Sequence, residues 1–319
     1  MKAAEKSDIL VRLKPYQQII EDELKNLSFN TEIPLFYEPI HYFLAIPGKR
    51  IRPLLVLLAA EMLGSSSERA RFAATAVELL HNFTLVHDDI MDSDDTRRGQ
   101  LTIHKKWDIS TAILAGDGLM GFAFQELLKT PSVNVADMAR RFTDTMIVIC
   151  EGQGQDKMFE DQEQVAEQAY QEMISRKTAV LLQLSCELGA MAAEANEKTI
   201  KGLSEFGYAL GMGFQIQDDL LDVMGDSSTI GKAVGSDLSM HKQTLLTIKL
   251  QKHFPQKDLF ALPIKEFKEL LKQSGVLQEV QNSYKNHFEH AYQILEDQPD
   301  NSAKELLSAL IGFIQNRQW

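Results

Sequence analysis

The chain has 319 residues, of which 44% are hydrophobic and 24% are charged, a composition that excludes a disordered chain and allows one large globular domain. Its formal net charge of −12 argues against general nucleic-acid binding, which requires a basic surface. Anionic substrates are not excluded, because a bound divalent metal ion can reverse the local charge.

No signal peptide or membrane-spanning run is expected from the sequence. The first stretch, MKAAEKSDILVRLKPY, is charged and lacks the apolar segment of a signal peptide. No apolar run reaches the ~18 residues that span a bilayer. Cys150 and Cys186 stand in apolar runs without a CxxC partner, which predicts two buried thiols in a reducing compartment. We therefore expect a cytoplasmic protein with no transmembrane segment.

Proline spacing indicates that helices dominate the chain. Only Pro131 interrupts the sequence between Leu54 and Phe254, where apolar residues recur at three- and four-residue spacing. No strand pattern between hairpin turns and no internal repeat is visible. One predicted helix begins after Pro53, and four others cover residues 69–92, 109–129, 134–159 and 198–225. A polar and then apolar stretch covers residues 160–195. We expect one all-α domain over residues 1–319, with about ten or more helices.

The helix predicted over 69–92 ends in crowded carboxylates. Five of the eight residues from Asp88 to Asp95 are aspartates, and Arg97 and Arg98 follow directly. On a helix Asp88 and Asp92 lie about 40° and one turn apart, so their carboxylates share a face. A hard cation removes their repulsion, and Mg²⁺ is typically bound through one or two carboxylates plus phosphate oxygens.

A second cluster repeats this spacing 130 residues later. Asp218, Asp219 and Asp222 in FQIQDDLLD close another apolar, glycine-containing helix. Two unrelated acidic surface patches are the alternative, but solvated faces hardly explain one spacing on two apolar helices. If the helices face each other, the two carboxylate sets confront one cavity, which suits a multi-metal clamp around a diphosphate.

Other site types fit these clusters less well. An EF-hand loop that starts at Asp92 would need glycine and glutamate where Arg97 and Ile103 stand. A His-Asp phosphohydrolase site at His87 and Asp88 would need further histidines at metal-ligand spacing, and the second cluster has none. GQGQDK and GMGFQI lack the third glycine and the preceding strand of a dinucleotide motif.

Basic residues accompany the clusters at several points of the chain. They are Lys49, Arg50 and Arg52 in PGKRIRP, Arg97 and Arg98, Lys177 in SRKT, Lys232 in GKAVGSD and Lys242 in MHKQT. Such side chains suit phosphate oxygens. A purely structural ion-pair network between the two arginines and the aspartates is the rival interpretation.

A stripe on the first helix extends the candidate site. His81, Thr84, Asp88 and Asp92 lie on one continuous face of this predicted helix. His81 is therefore a candidate donor to a substrate phosphate. A hydrogen-bonded core histidine is the alternative.

With these residues assembled, the chain resembles the trans-isoprenyl diphosphate synthases, or polyprenyl synthetases. The shared motifs are, in order, GKRIRP, LVHDDIMDSDDTRRG, GQGQD, KT, FQIQDDLLD and GK…GSD…K.T. The resemblance covers most of the chain and implies an all-α bundle with a deep central cavity, usually a homodimer. It also implies a Mg²⁺-dependent, head-to-tail condensation of isopentenyl diphosphate with dimethylallyl, geranyl or farnesyl diphosphate.

The resemblance implies a role for each matching residue. Asp88, Asp92 and Asp218 resemble the main ligands of about three Mg²⁺ ions, with Asp89, Asp219 and Asp222 in support. Arg97, Lys177, Gln215, Lys232 and Lys242 resemble the allylic-diphosphate contacts, and Lys49, Arg52, His81 and Arg98 the isopentenyl-diphosphate contacts. The hydroxyl of Thr178 and the amide oxygen of Gln215 would face the allylic cation. Pro47, Leu101 and Met240-His241 depart from the family pattern, so we expect the loops around them to differ in shape.

Product length depends in this family on the positions four and five before the first aspartate, here Thr84 and Phe83. Ideal helix angles place Thr84 nearer to the face of Asp88. The resemblance favours Phe83, because an aromatic there, with no insertion in the aspartate motif, indicates a short product, C20 rather than C15. Phe83 as an ordinary core residue is the alternative.

Two other functions remain possible at this point. A class I terpene cyclase also has an aspartate-rich helix, but it would usually carry an Asn/Ser/Glu-type second motif where this chain has DDLLD. A non-catalytic regulatory subunit of a prenyl synthase tends to lose one aspartate motif, and both motifs are intact here.

Overall fold

The computed structural model describes residues 3–27, 32–225 and 234–316, and within them fifteen α-helices dominate the fold. They are α1 (Ala3–Lys25), α2 (Pro34–Leu44), α3 (Ile51–Met62), α4 (Ser67–Met91), α5 (Ile103–Lys106), α6 (Ile109–Leu128), α7 (Val135–Glu160), α8 (Glu167–Ile174), α9 (Val180–Ala192), α10 (Glu197–Met224), α11 (Ser236–Ser239), α12 (Leu245–His253), α13 (Ile264–Gln273), α14 (Val276–Glu296) and α15 (Ser302–Gln315). A π-helical segment, Ser175–Ala179, connects α8 to α9 without a break. The prediction of an all-α fold is confirmed.

The four helices with predicted bounds, α4, α6, α7 and α10, begin and end within two residues of those bounds. Local signals explain this agreement: the side chain of Asp108 accepts from the Thr111 N–H at the start of α6, as Asn196 does from Thr199 at the start of α10. The start of α3 differs, since the helix begins at Ile51 and already includes Pro53. A proline is tolerated in the first turn because its missing N–H would have no helical acceptor there.

The directions of three helices bring the candidate residues to one end of the bundle. α4 and α6 are antiparallel: His87 near the end of α4 lies 3.4 Å from the Ile113 carbonyl at the start of α6, and Arg69 at the start of α4 reaches the Pro131 carbonyl beyond α6. A short turn then leads into α7, and the ring of Phe124 near the end of α6 lies 5.2 Å from that of Phe142 near the start of α7, as expected for an antiparallel pair. α4 and α7 therefore run in the same direction and end close together.

One continuous hydrophobic core holds these helices. α3 and α9 are apolar on nearly all sides and almost fully buried, as expected for helices inside a large bundle. α9 packs against both α4 and α10, whereas α4 and α10 do not pack extensively on each other within the described ranges. None of the described helices has the length and apolar character that crossing a bilayer requires.

A small hairpin follows α4 where the sequence showed no strand pattern. Strand β1 (Thr96–Arg97) pairs antiparallel with strand β2 (Gln100–Leu101). Arg98 and Gly99 form the turn with φ of 52° and 76°, the left-handed conformations that fit the twist of a two-residue hairpin. Strands of two residues are too short to show a period in the sequence.

The prediction of two buried cysteines is wrong for one of them. Cys186 is buried in α9, whereas Cys150 is exposed on α7. The apolar neighbours of Cys150 in the sequence predicted burial. The prediction failed because a helix face that lies at the surface can also be apolar. Both thiols are free.

Candidate active site

The π-helical segment Ser175–Ala179 is at the centre of the candidate site and carries Lys177 and Thr178. Short π-helical insertions occur frequently at functional sites. Two glycines allow neighbouring helices to approach it: a Cβ on Gly152 of α7 would overlap the backbone N of Lys177, and one on Gly211 of α10 would overlap the backbone at the end of the segment. α7 and α10 thus close on the segment from two sides.

A charged layer forms where α4, α7 and the residues after α11 meet. Lys157 Nζ lies 3.1 Å from Asp92 Oδ1, and Lys242 Nζ lies 3.2 Å from Asp92 Oδ2. Lys177 Nζ lies 2.5 Å from Asp156 Oδ2. Burial alone would raise the pKa of Asp92, but the charges of Lys242 and Lys177 outweigh burial and hold the pKa below its ordinary value. The layer therefore keeps its lysines cationic and Asp92 anionic.

Asp88, one turn before Asp92, has a different environment. Its half-buried carboxylate forms no hydrogen bond or ion pair with any residue in the described ranges. Burial raises the pKa of Asp88, and the charge of Asp92 adds to this rise against the opposing charge of Lys177. A desolvated carboxylate beside another carboxylate is a favourable ligand for a divalent cation.

The second cluster is held by neutral donors. The Tyr170 hydroxyl donates to Asp219 Oδ2 at 2.6 Å, and Gln215 Nε2 donates to Asp219 Oδ1 at 2.7 Å. The Thr178 hydroxyl donates to Gln215 Oε1 at 2.8 Å, which fixes the orientation of this amide. Burial and then the charge of Asp237 raise the pKa of Asp219 well above its ordinary value. Asp219 thus braces the site and does not face it.

The other two aspartates of α10 differ again. Asp222 accepts from the Ser236 hydroxyl at 2.6 Å and from the Asp237 N–H at 3.1 Å, so it organises the start of α11. Asp218 is exposed, and its charge acts on the pKa of Arg52 in α3. Asp218 is therefore close enough to Arg52 for the two charges to interact.

A second group of cations lies around α3. Arg52 Nη1 lies 3.0 Å from His81 Nε2. Burial lowers the pKa of Arg52 to about 10, and burial together with the charge of Arg52 lowers the pKa of His81 well below its ordinary value. His81 is consequently neutral and accepts from Arg52. Arg52 Nε is buried without a hydrogen-bond partner among the described residues, which leaves a donor for an anion.

Neighbouring Arg50 has a structural role. It is buried and pairs with Glu78 at 2.6 Å and Glu21 at 2.8 Å. Lys49, directly before it, accepts through its main-chain carbonyl from Gln17 Nε2 at 3.3 Å. The loop thus anchors Arg50 in the core, with Lys49 before it in the loop and Arg52 after it in the first turn of α3.

The hairpin directs the adjacent arginines Arg97 and Arg98 to different partners. Arg97 Nε donates to Asp89 Oδ1 at 2.6 Å, and Arg98 Nη1 donates to the Pro47 carbonyl at 3.1 Å. A Cβ on Gly48 would meet the Arg98 guanidinium at 2.5 Å, so the loop at Pro47 receives this side chain only because glycine follows. Arg97 forms an ion pair with an aspartate, as the alternative of a structural ion-pair network predicts. Arg98 instead donates to a main-chain carbonyl.

The last two aspartates of the first cluster differ in their partners. Asp94 Oδ2 lies 3.8 Å from Arg97 Nη2, whereas exposed Asp95 pairs with Lys105 at 2.8 Å. Asp94 is therefore close to one arginine, and Asp95 is paired at the surface with Lys105 of α5.

The two product-length candidates lie on different sides of α4. Thr84 is half-buried on the stripe with His81 and Asp88, and its hydroxyl donates to the His81 carbonyl at 2.8 Å. Phe83 is buried about 140° round the helix from Asp88. Its ring lies 4.8 Å from that of His87, which in turn packs against Gly116 of α6.

The carboxylates fit a hard cation, although they are dispersed. Within the described residues, no group of three or more His, Cys, Asp or Glu side chains lies together in a metal-binding arrangement. Asp88 and Asp92 on α4 and exposed Asp218 on α10 offer oxygen donors, the type that Mg²⁺ prefers. Mg²⁺ usually keeps water or phosphate oxygens among its ligands, so this donor set suits an ion shared with a substrate phosphate.

Three site residues were not predicted from the sequence: Asp156, Lys157 and Tyr170. The GQGQD motif already contained Asp156, but only the packing of α7 on the π-helical segment brings it to Lys177. Lys157 and Tyr170 gave no signal in the sequence. Of the predicted residues, Lys232 lies outside the described ranges.

Comparison with known proteins gives one consistent family. The polyprenyl synthetase profile matches residues 33–284. A geranylgeranyl diphosphate synthase of Sulfolobus acidocaldarius is 44% identical over 68% of this chain and 67% of its own, and one of Methanosarcina mazei is 36% identical over 93% and 98%. The crystal structure of geranylgeranyl pyrophosphate synthetase from Pyrococcus horikoshii superimposes with a TM-score of 0.92, at 35% identity, over 98% of this chain and 99% of that one.

Proposed function

This chain belongs to the polyprenyl synthetase family, and from that premise we propose that it is a prenyltransferase that condenses isopentenyl diphosphate head-to-tail with an allylic diphosphate. The product is a short-chain, all-trans isoprenyl diphosphate. The observation that carries the proposal is the convergence of two cation groups on one end of the bundle, around Lys177 and around Arg52, with an aspartate motif beside each. Two cation groups suit two diphosphates.

Asp88, Asp92 and Asp218 would hold Mg²⁺, about three ions per site together with the diphosphate oxygens. Bound Mg²⁺ supplies Lewis acidity that makes the allylic diphosphate a leaving group. The support for this assignment is the oxygen donor set and the unpaired, half-buried carboxylate of Asp88.

The allylic diphosphate binds among Lys177, Lys242 and Arg97, with Lys232 as a further contact and Lys157 as a neighbour. Lys157 and Lys242 are paired with Asp92 in the structure. These fixed positive charges stabilise the charge that develops on the departing oxygens. Beside them the hydrogen-bonded pair of Thr178 and Gln215 presents oxygen atoms to the allylic carbons as positive charge develops there.

Isopentenyl diphosphate binds at Arg52, His81 and Arg98, with Lys49 beside them. The unpartnered Arg52 Nε donates to a phosphate oxygen, and neutral His81 keeps the guanidinium oriented. The double bond held there attacks the allylic cation, and positioning accounts for much of the rate. The proton that is then lost goes to the released diphosphate. Exclusion of water protects the cation from hydrolysis.

The growing hydrocarbon chain extends into the bundle beside α4, and its length is limited to C20, with C15 as the alternative. Phe83, buried against His87, is the proposed floor. Relatives named geranylgeranyl diphosphate synthase support C20.

The active form is a homodimer in the cytoplasm. α6 and α7 pack together and expose large apolar side chains: Ile109, Ile113, Leu114, Leu128, Ile147 and Met158. A second copy would cover this face, because extended apolar patches on soluble chains usually mark interfaces. Two free cysteines agree with a reducing compartment. Light scattering on the purified chain would give twice the chain mass, and a single chain mass at micromolar concentration would contradict the dimer.

One incubation series tests the reaction. The protein is supplied with Mg²⁺, isopentenyl diphosphate and each allylic primer in turn, and the dephosphorylated products are sized by chromatography. We expect a C20 alcohol that disappears when the metal is chelated. Cyclised hydrocarbons from the allylic primer alone would instead identify a terpene cyclase. No product from any primer would leave the regulatory subunit as the remaining alternative.

A further inference from the structure

Gln153 on α7 is a buried glutamine whose amide lacks a partner. The residue is 8% exposed, and neither Nε2 nor Oε1 forms a hydrogen bond with the described protein. Buried amide groups are nearly always paired in folded proteins. Most other buried or half-buried polar groups near the site are paired, for example Gln215 and Asp219. Arg52 Nε is also unpaired, but in Gln153 both polar atoms of the amide lack a partner among the described residues, and this requires a reason.

The position of Gln153 follows from its helix neighbours. Lys157, one turn later on α7, reaches Asp92 at the end of α4. Because α4 and α7 run in the same direction, one turn back on both helices leads to Gln153 and Asp88, which thus lie at the same level. Gly152, the preceding residue, touches the backbone of Lys177. The Gln153 side chain therefore originates between α4 and the π-helical segment.

This level is where the reacting part of an allylic substrate would lie. Above it Asp92, Lys157 and Lys242 form the charged layer, and Lys177 is paired at its edge. One turn below Asp88 lies Thr84, beyond the charged side chains. A substrate with its diphosphate in the charged layer places its first carbons beside Gln153.

We propose that the side-chain amide of Gln153 contacts the allylic substrate directly: its NH₂ group donates to a diphosphate oxygen, and its carbonyl oxygen faces the adjacent allylic carbons. This inference rests on the proposed function. A primary amide offers a donor and an acceptor on one planar group. That pair matches a substrate in which an oxyanion departs from a carbon that becomes positive. The contact would supply the partner that both atoms of the amide lack among the described residues.

The test compares Gln153→Met with Gln183→Met. Methionine keeps the length of glutamine without its hydrogen bonds, and Gln183 is a half-buried glutamine of α9 whose amide is paired with Glu187 and Ser204, away from the site. For Gln153→Met we expect kcat to fall at least about tenfold, with an unchanged or higher melting temperature because no hydrogen bond is lost. For Gln183→Met we expect a lower melting temperature and wild-type kcat.

Two further measurements decide the assignment. With Mg²⁺ and a sulfur-linked allylic diphosphate analogue that resists ionisation, the rise in melting temperature should be smaller for Gln153→Met than for wild type and equal for Gln183→Met. Gln153→Glu removes the donor and should raise KM for the allylic diphosphate about tenfold or more, since a carboxylate faces the phosphate. Wild-type kcat in Gln153→Met, or wild-type KM in Gln153→Glu, would overturn the inference. An inactive wild type would instead reject the proposed function.

Discussion

Asp89 and Asp92 at the end of α4 meet cations, whereas Asp219 and Asp222 at the end of α10 meet hydroxyl, amide and backbone N–H donors. Asp92 is paired with Lys157 and Lys242, while Asp219 accepts from Tyr170 and Gln215. One sequence spacing thus produces two kinds of site. Lysines can exchange a carboxylate for a phosphate when substrate arrives, whereas Tyr170 and Gln215 hold Asp219 in place within the protein. We therefore expect Asp92 to lose its lysine partners when substrate binds and Asp219 to keep its hydrogen bonds.

The largest effect is expected from the first aspartate of each motif. Asp88→Asn and Asp218→Asn should each reduce kcat about 10²-fold or more, because loss of a metal ligand removes several kcal/mol of stabilisation from the departing diphosphate. The melting temperature of Asp88→Asn should remain at the wild-type value, since its carboxylate has no protein partner to lose. Near-normal condensation by either variant at saturating Mg²⁺ would contradict the role of both motifs in metal binding.

The middle aspartate of α10 should affect stability instead. Asp219→Ala leaves the Tyr170 hydroxyl and the Gln215 amide without their acceptor. We expect a loss of about 2–4 kcal/mol in the free energy of unfolding, measured with urea. Asp88→Ala is the matched control and should unfold like wild type. Equal stability of the two variants would abolish the distinction between the two motifs.

The last aspartates provide a finer comparison. Asp222→Ala removes the acceptor that organises the start of α11, and Lys242 follows this helix. KM for the allylic diphosphate should rise about tenfold, corresponding to the typical value of a lost cap. Asp222→Asn keeps an acceptor and should recover most of the affinity. If Asp222→Ala instead reduced kcat as strongly as Asp88→Asn, Asp222 would be a metal ligand.

The length of the product tests which side chain of α4, Phe83 or Thr84, limits the growing hydrocarbon chain. Phe83→Ala should yield products at least one C5 unit longer, and Thr84→Ala should leave the length unchanged. Gly116→Ala should also lengthen or mix the products, because a Cβ there overlaps the His87 ring that supports Phe83. Chromatography of the dephosphorylated products measures all three. A longer product from Thr84→Ala alone would move the floor to the stripe that contains Asp88.

The smallest expected effect concerns the neutral histidine of the same stripe. Because the pKa of His81 in the folded protein lies well below its ordinary value, the folded protein does not take up the proton that the unfolded chain binds below about pH 6.5. Stability should therefore decrease as the pH falls, by at most about 1.4 kcal/mol from this group between pH 7.5 and 5.5. His81→Gln keeps a neutral acceptor and should lose that part of the dependence. An identical pH dependence in both proteins would show that His81 titrates normally.

Much of this arrangement could be predicted from the sequence. The bounds of α4, α6, α7 and α10 followed from apolar spacing and capping residues, which act within a few positions of the chain. The stripe of His81, Thr84, Asp88 and Asp92 followed from helix geometry, and all four residues are half-buried in the structure. Lys157 and the short β-hairpin could not be predicted, because neither produces a local pattern.

By itself the sequence determined which carboxylates share a helix face, because the period of a helix is a property of the chain alone. Only the tertiary structure decided what each carboxylate meets. Asp89 received Arg97 because the hairpin turns back onto α4, and Asp219 received Tyr170 because α8 packs beside α10 through the π-helical segment. The same motif therefore has exchangeable ion pairs at the end of α4 and fixed hydrogen bonds at the end of α10. The two differ because the partners of the aspartates come from segments that are distant in sequence.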